Sequence, residues 1–137
     1  MRSILVSDYM NHQPTLILHT ANIRDAVILM LSKKIIGVSV VDENRNLVGY
    51  ISEQDCIAQM LNVVFHSEEP GPVHEVMARD VMKVTPETTV VELAETIIKS
   101  RPKNYPVIDE DGKLVGLISR TEVLQALIDK SIESYHK

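Results

Sequence analysis

The stretches "VVDENRNLVGYISEQD", residues 40–55, and "VIDEDGKLVGLISRTE", residues 107–122, decide the fold. They align without a gap at a shift of 67 residues, Val40 on Val107 and Ser52 on Ser119. Each sets β-branched and aliphatic residues on both sides of a cluster of Asp, Asn and Gly, the pattern of a β-hairpin. Each then runs through Ile-Ser to an acid three positions on, Asp55 in one and Glu122 in the other. That spacing is a capping box. The serine hydroxyl accepts from the third residue's N–H, and the acid reaches back to the serine's own N–H. Two strands leading into a helix are therefore written twice.

Working outward, the register holds back to Ile23 over Val90. Asn22-x-x-Asp25 and Thr89-x-x-Glu92 precede periodic apolar runs and predict helix N-caps. These helices end near Lys33 and Ser100, and Pro102 forbids continuation of the second. Short β-like segments precede them, Thr15–Leu18 and Lys83–Thr85, and a last helix closes each copy, Glu53–Val64 and Arg120–Lys130. The order is β-α-β-β-α, twice, an α/β (α+β) chain. Further upstream, "DYM" at 8–10 matches "DVM" at 80–82 at a shift of 72, which gives the first copy five extra residues in "NHQPTLILHTAN" and makes Met10 and Met82 matching core anchors. Residues 1–64 form the first repeat and 80–137 the second. Residues 65–79, broken by Pro70-Gly71-Pro72, form the linker. A unit of roughly 60 residues is marginal alone. The strand "IIGVSVV" is apolar on both faces. The two copies are expected to pack about a pseudo-twofold axis and to leave two equivalent clefts, where ligands are favoured.

Composition narrows the function. A net charge of −5 lacks the basic face that phosphate-backbone neutralisation needs, so no nucleic-acid partner is expected. The apolar runs Ala26–Leu31 and Ile35–Val41 are too short to span a bilayer, and the N-terminal stretch lacks a signal peptide's apolar run. With Cys56 the only cysteine, no internal disulfide forms, and a cytoplasmic location is expected. Cys56 follows Asp55 on an apolar helix face and reads as a small buried hydrophobe. The histidines at 12, 19, 66, 74 and 136 have no tight ligand spacing, and no Gly-rich phosphate loop occurs, so neither a metal site nor a catalytic apparatus is expected. The tail "DKSIESYHK" is polar and is expected to fray.

The capping acids admit a second use. A carboxylate at a helix start can accept two hydrogen bonds from a vicinal diol such as that of ribose, and the helix N-terminus favours a phosphate. Asp55 keeps its carboxylate close to the backbone, whereas Glu122 suits the reciprocal cap, so the first acid is the stronger diol candidate. Lys34, Arg101 and Lys103 stand at helix ends, where they complement the dipole as solvated charge or meet a phosphate. Arg120 begins the last helix, where the first copy has Glu53.

The doubled pattern, with "NYPVIDEDGKLVGLIS" and "VVDENRNLVGYISEQD", resembles a tandem pair of cystathionine-β-synthase (CBS) domains, a Bateman module, over nearly the whole chain. The resemblance implies a regulatory, non-enzymatic protein that needs no cofactor. It implies an adenosyl ligand: AMP, ADP or ATP first, with S-adenosylmethionine or NAD as others. It sets the Ser-x-x-acid motif of one copy against the strand entry of the other. Ser52 and Asp55 then join Val84, Thr85, Lys103, Asn104, Tyr105 and Pro106 in the first cleft. Ser119, Arg120 and Glu122 join Thr20, Ile36, Gly37 and Val38 in a second, weaker one. A homodimer paired through outer helices, and a regulated protein partner, are also implied. The competing reading is a ligand-free interaction module whose clefts are filled by its own Tyr105 and Ile36.

Overall fold

The computed structural model describes residues 4–135. It divides into two compact units. One comprises residues 15–81; the other is formed by residues 82–137 together with residues 1–14. They are called here the central unit and the split unit.

The central unit holds β1 (Leu16–Leu18), α2 (Ile23–Lys33), β2 (Gly37–Val41), β3 (Leu47–Ser52) and α3 (Glu53–His66), followed by a 3-10 turn at Val73–Glu75. β1 runs parallel to β2, and β2 antiparallel to β3. Asn22 caps α2 by accepting from Arg24 N at 2.8 Å. Asp42 organises the β2–β3 turn. Its Oδ1 accepts from Asn44 N and Asn46 N, each at 2.9 Å, and its Oδ2 from Asn46 Nδ2. The Asn46 bond, foremost, holds its carboxyl below the ordinary carboxylate range.

The split unit opens with α1 (Val6–Tyr9), a short helix the sequence did not announce. It continues with α4 (Val90–Ile97), β4 (Asn104–Ile108), β5 (Leu114–Ser119) and α5 (Arg120–Tyr135). Its counterpart of β1 shrinks to one parallel bridge, Val84 to Val107. The capping box predicted at Thr89 and Glu92 is present, with Glu92 N donating to Thr89 Oγ1 at 3.1 Å. α5 continues past Lys130, where it was expected to end, to Tyr135. Most of the tail expected to fray is thus helical, Ile132 extending the Leu124–Ile128 line by another turn; His136 and Lys137 lie outside the described residues.

The two cores correspond at most positions at the 67-residue shift, the exceptions being Met30, answered by the partly buried Ile97, and Ala126, answered by Gln59. The central unit packs Val73, Met77, Ile17, Ile23, Ala26, Val38, Val40, Ile51 and Cys56. The split unit packs Val6, Met10, Val84, Val90, Leu93, Tyr105, Val107, Ile118 and Val123. Volume is redistributed between them: Ala26 and Val38 are answered by Leu93 and Tyr105. Cys56 stands where the other core has Val123, and it is 3% exposed, a buried hydrophobe as its setting suggested.

This correspondence corrects the upstream alignment. Met10 pairs with Met77, not Met82. Met82 is 38% exposed, while Met10 and Met77 are 8% and 7% exposed. One shift therefore serves both copies from Val6 and Val73 onward, and the first copy has no five-residue insertion. Each methionine lies against a glycine in the second strand of its hairpin. A Cβ on Gly49 would stand 2.5 Å from Met77 Sδ and 2.8 Å from Ala78 O; one on Gly116 would stand 2.7 Å from Met10 Sδ and 3.0 Å from Asn11 O. The chain beside each methionine forms a two-bond antiparallel bridge to that strand. Tyr50 N donates to Ala78 O at 2.9 Å and Ala78 N to Tyr50 O at 2.8 Å; Asn11 N donates to Leu117 O at 2.8 Å and Leu117 N to Asn11 O at 3.0 Å.

Gly49→Ala is expected to destabilise by about 1–3 kcal/mol through overpacking, and Gly116→Ala by less, because its backbone neighbour leaves more room. Urea unfolding at constant slope measures both. Burial, and secondarily Asp55, push the Cys56 thiol up to about 11. The thiol should resist aromatic disulfide reagents at pH 8 until the protein unfolds. The unfolded chain ionises this group first, near its ordinary pKa of roughly 8.5. Its contribution to stability is therefore complete below that pH and falls as pH rises toward 11; a Cys56→Val variant should lose this component in alkaline unfolding titrations.

Candidate functional site

Each hairpin delivers its serine to a helix start, and the helix start is tied back to the entry of the preceding strand. In the central unit Gly37 lies opposite Ser52 in the β2–β3 register. Glu53 N donates to Ile36 O at 2.9 Å. In the split unit Asn104 lies opposite Ser119, and Arg120 N donates to Lys103 O at 3.0 Å. Within one unit, then, Ser52 and Asp55 stand with Ile36, Gly37 and Val38, and Ser119, Arg120 and Glu122 stand with Lys103 and Asn104.

The two caps differ in how they use their acid. Asp55 Oδ2 accepts from Ser52 N at 3.0 Å, and Ser52 Oγ accepts from Asp55 N at 3.2 Å. Glu122 Oε1 accepts from Ser119 N at 3.1 Å and also from the Ser119 hydroxyl at 2.8 Å. The Asp55 carboxylate, one methylene shorter, accepts only from the backbone N–H of its serine. Both acids are half-buried, open to solvent at one side. The bonds from Glu53 N and Asp55 N, like those from Arg120 N and Glu122 N, consume helix-start donors that a phosphate would need. Side-chain cations therefore matter more at these sites than the helix ends alone.

The remaining predicted residues divide by burial. Val38, Val84 and Tyr105 belong to the cores. Tyr105 is fully buried, its hydroxyl donates to Pro102 O at 2.9 Å, and burial raises its pKa. Its ring is core, so Tyr105 offers a ligand its backbone alone. Pro106 is buried; Thr20, Ile36, Thr85, Lys103 and Arg120 are exposed. Thr85 N donates to Thr88 Oγ1 at 3.1 Å within its own turn.

Sequence reasoning passed over two residues on the strand face that carries Gly37 and Ser52. Ser39 faces Tyr50 across that ladder. The signal was present in the repeat: Gly37 and Tyr50 become Asn104 and Leu117 in the second copy, and Ser39 becomes Pro106. Elsewhere His19 Nε2 lies 3.2 Å from Glu43 Oε1 and its ring centroid 5.9 Å from that of His74. Among the described residues no group of three or more potential ligands could hold a metal ion, and no helix is long and apolar enough to cross a membrane.

Comparison with known proteins places this geometry in a family. The CBS domain matches residues 6–62 and again residues 73–129. The protein MJ1426 of Methanocaldococcus jannaschii is 27% identical over 91% of this chain and 92% of its own length. Two further curated relatives are longer, and the chain spans 42% and 22% of their lengths. The crystal structure of CBSX2 in complex with AMP, a CBS-pair protein from Arabidopsis thaliana, superposes with a TM-score of 0.82 at 26% identity, covering 93% of this chain and 98% of that one. The CBS domain pair of MJ0100, solved with 5'-methylthioadenosine and S-adenosyl-L-methionine, shares the fold at a TM-score of 0.77 and 22% identity, over 94% of this chain and 99% of its own. The chain belongs to the CBS domain family and carries two CBS domains in tandem.

Proposed function

We propose that the protein is a non-catalytic regulatory module that binds an adenine nucleotide or related adenosyl ligand, with Asp55 accepting from the ribose hydroxyls. The carrying observation is the difference between the two caps. The Asp55 carboxylate accepts only from the backbone N–H of Ser52, which lies opposite Gly37 at the strand entry, while the Glu122 carboxylate accepts from both the N–H and the hydroxyl of Ser119. The AMP complex of CBSX2 supports the ligand class. Lys34, two residues before Ile36, brings a cation to the same end of the unit. A ligand shifts a conformational equilibrium only by its differential affinity for the two states, so the readout lies in association or in a partner protein.

Calorimetric titration with AMP, ADP, ATP, S-adenosylmethionine and NAD tests the reading. At 100 times its Kd a true ligand adds about 2.7 kcal/mol to stability. Asp55→Ala should weaken adenosyl binding at least tenfold; Glu122→Ala should have a smaller effect. Equal affinity in wild type and Asp55→Ala removes the ribose role.

A second observation favours self-association. α3 exposes Ile57, Leu61 and Val64 at 60%, 50% and 74%, and α5 exposes Leu124, Ile128 and Ile132 at 68%, 50% and 51%. Each set recurs at helical spacing along one face, and contiguous exposed apolar surface marks an interaction site. We propose a homodimer that uses these faces. Light scattering should find the wild type dimeric, and Leu61→Glu or Ile128→Glu should shift it to the monomer mass. A monomeric wild type removes this reading and leaves the ligand test standing.

A further inference from the structure

One face of the β2–β3 ladder carries a set of groups that packing alone does not explain. Val38, Val40 and Ile51 point into the core of the central unit. Gly37, Ser39, Tyr50 and Ser52 alternate with them and share the opposite face. Ser39 is 1% exposed, and its hydroxyl has no hydrogen-bond partner among the described residues. A buried hydroxyl without a partner is unfavourable and calls for an explanation. The repeat shows that the fold does not need it, because the same position in the split unit is Pro106.

Tyr50 is coupled to Gly37. A Cβ on Gly37 would stand 2.5 Å from Cε2 and 2.7 Å from Cζ of the Tyr50 ring, so the glycine makes the seat on which the ring lies. In the split unit the pair is reversed: Asn104 has a side chain, and Leu117 lacks the ring. The substitutions compensate in volume, which marks the Tyr50–Gly37 contact as a feature of the central unit alone.

We propose that Ser39 is a recognition hydroxyl for the base of the ligand and that the Tyr50 ring, seated on Gly37, is the side-chain lid over it. This rests on the adenosyl reading and deepens it. At about 3.4 Å per residue, Ser39 lies about 7 Å along the strand from Gly37, the position opposite Ser52. That separation is comparable to the reach from a ribose diol to the hydrogen-bonding edge of its base. A flat nitrogen heterocycle that moves the ring aside takes over the glycine seat and offers Ser39 its missing partner. A sugar phosphate without a base cannot do so. The central unit is then the base-selective copy, and the same copy carries Asp55.

Three variants of the full chain test the proposal, each titrated with AMP and with ribose 5-phosphate and melted without ligand. Ser39→Ala should weaken AMP binding about tenfold, leave the melting temperature of the free protein unchanged or raised, and leave any ribose 5-phosphate binding unaltered. Tyr50→Leu, the residue of the other copy, should tighten AMP by removing the lid. Gly37→Ala should expel the ring from its seat; its ring-proton NMR shifts should move in the free protein toward those of the AMP-bound wild type. AMP binding unchanged by Ser39→Ala, together with a lowered melting temperature, overturns the recognition role, because the hydroxyl then serves the fold. Weaker AMP binding by Tyr50→Leu overturns the lid. A wild type that binds none of the adenosyl compounds overturns the functional reading and this site with it, whereas binding lost only in Asp55→Ala leaves the reading intact and removes the site.

Discussion

The fold depends on a close approach between a methionine-bearing segment and a glycine. Met77 and Met10 each lie on the second strand of a hairpin where no Cβ stands, and the neighbouring backbone is thereby near enough for paired hydrogen bonds. A flexible thioether suits such a site because it fills an irregular gap at low cost. The contact closes one end of each core, with Val73 and Val6 buried beside the methionines. It also fixes the edge of the second strand, so that the strand delivers its serine to the helix start in a defined register. The capping geometry, and the chemistry proposed for it, follow from that anchoring.

Local features were legible because their physics is local. The two hairpins, the caps at Asn22, Thr89, Ser52 and Ser119, and the run of α2 into Lys33 follow from residues within a few positions of one another. The upstream register was not legible for the opposite reason. Met10 meets Gly116 across most of the chain, and nothing near Met10 announces that partner. The local likeness of "DYM" to "DVM" was then the strongest visible signal, and Met82 proved to be exposed. The capping box at Ser52 and Asp55, on which the proposed site is built, was legible because a short motif carries it. Ser39 escaped notice because a serine between valines looks like an ordinary strand residue until its burial and its unpaired hydroxyl are known.

The duplication has been edited unevenly. Core positions retain apolar character while exchanging volume, as between Val38 and Tyr105. The faces that bear Ser52 and Ser119 have diverged in chemistry. Where one copy has Asp55, the Gly37–Tyr50 contact and the Ser39 hydroxyl, the other has Glu122, Asn104 with Leu117, and Pro106. Conservative change inside and chemical change on one face are what is expected where the first preserves a fold and the second distributes tasks between copies.

The division of the chain sets an order of assembly. Every segment of the central unit has been made once residue 81 leaves the ribosome, so that unit can form while the rest is still being synthesised. The split unit must wait. Its α1 is produced first, yet the strand that receives Met10 emerges about a hundred residues later. Until then the early segment, with α1 and the apolar Val6 and Met10, lacks the core that buries it, and its closure carries the entropy of a long loop. The early product of translation is thus the late event of folding, a delay in which a chaperone or a second nascent chain has its opportunity to capture the segment.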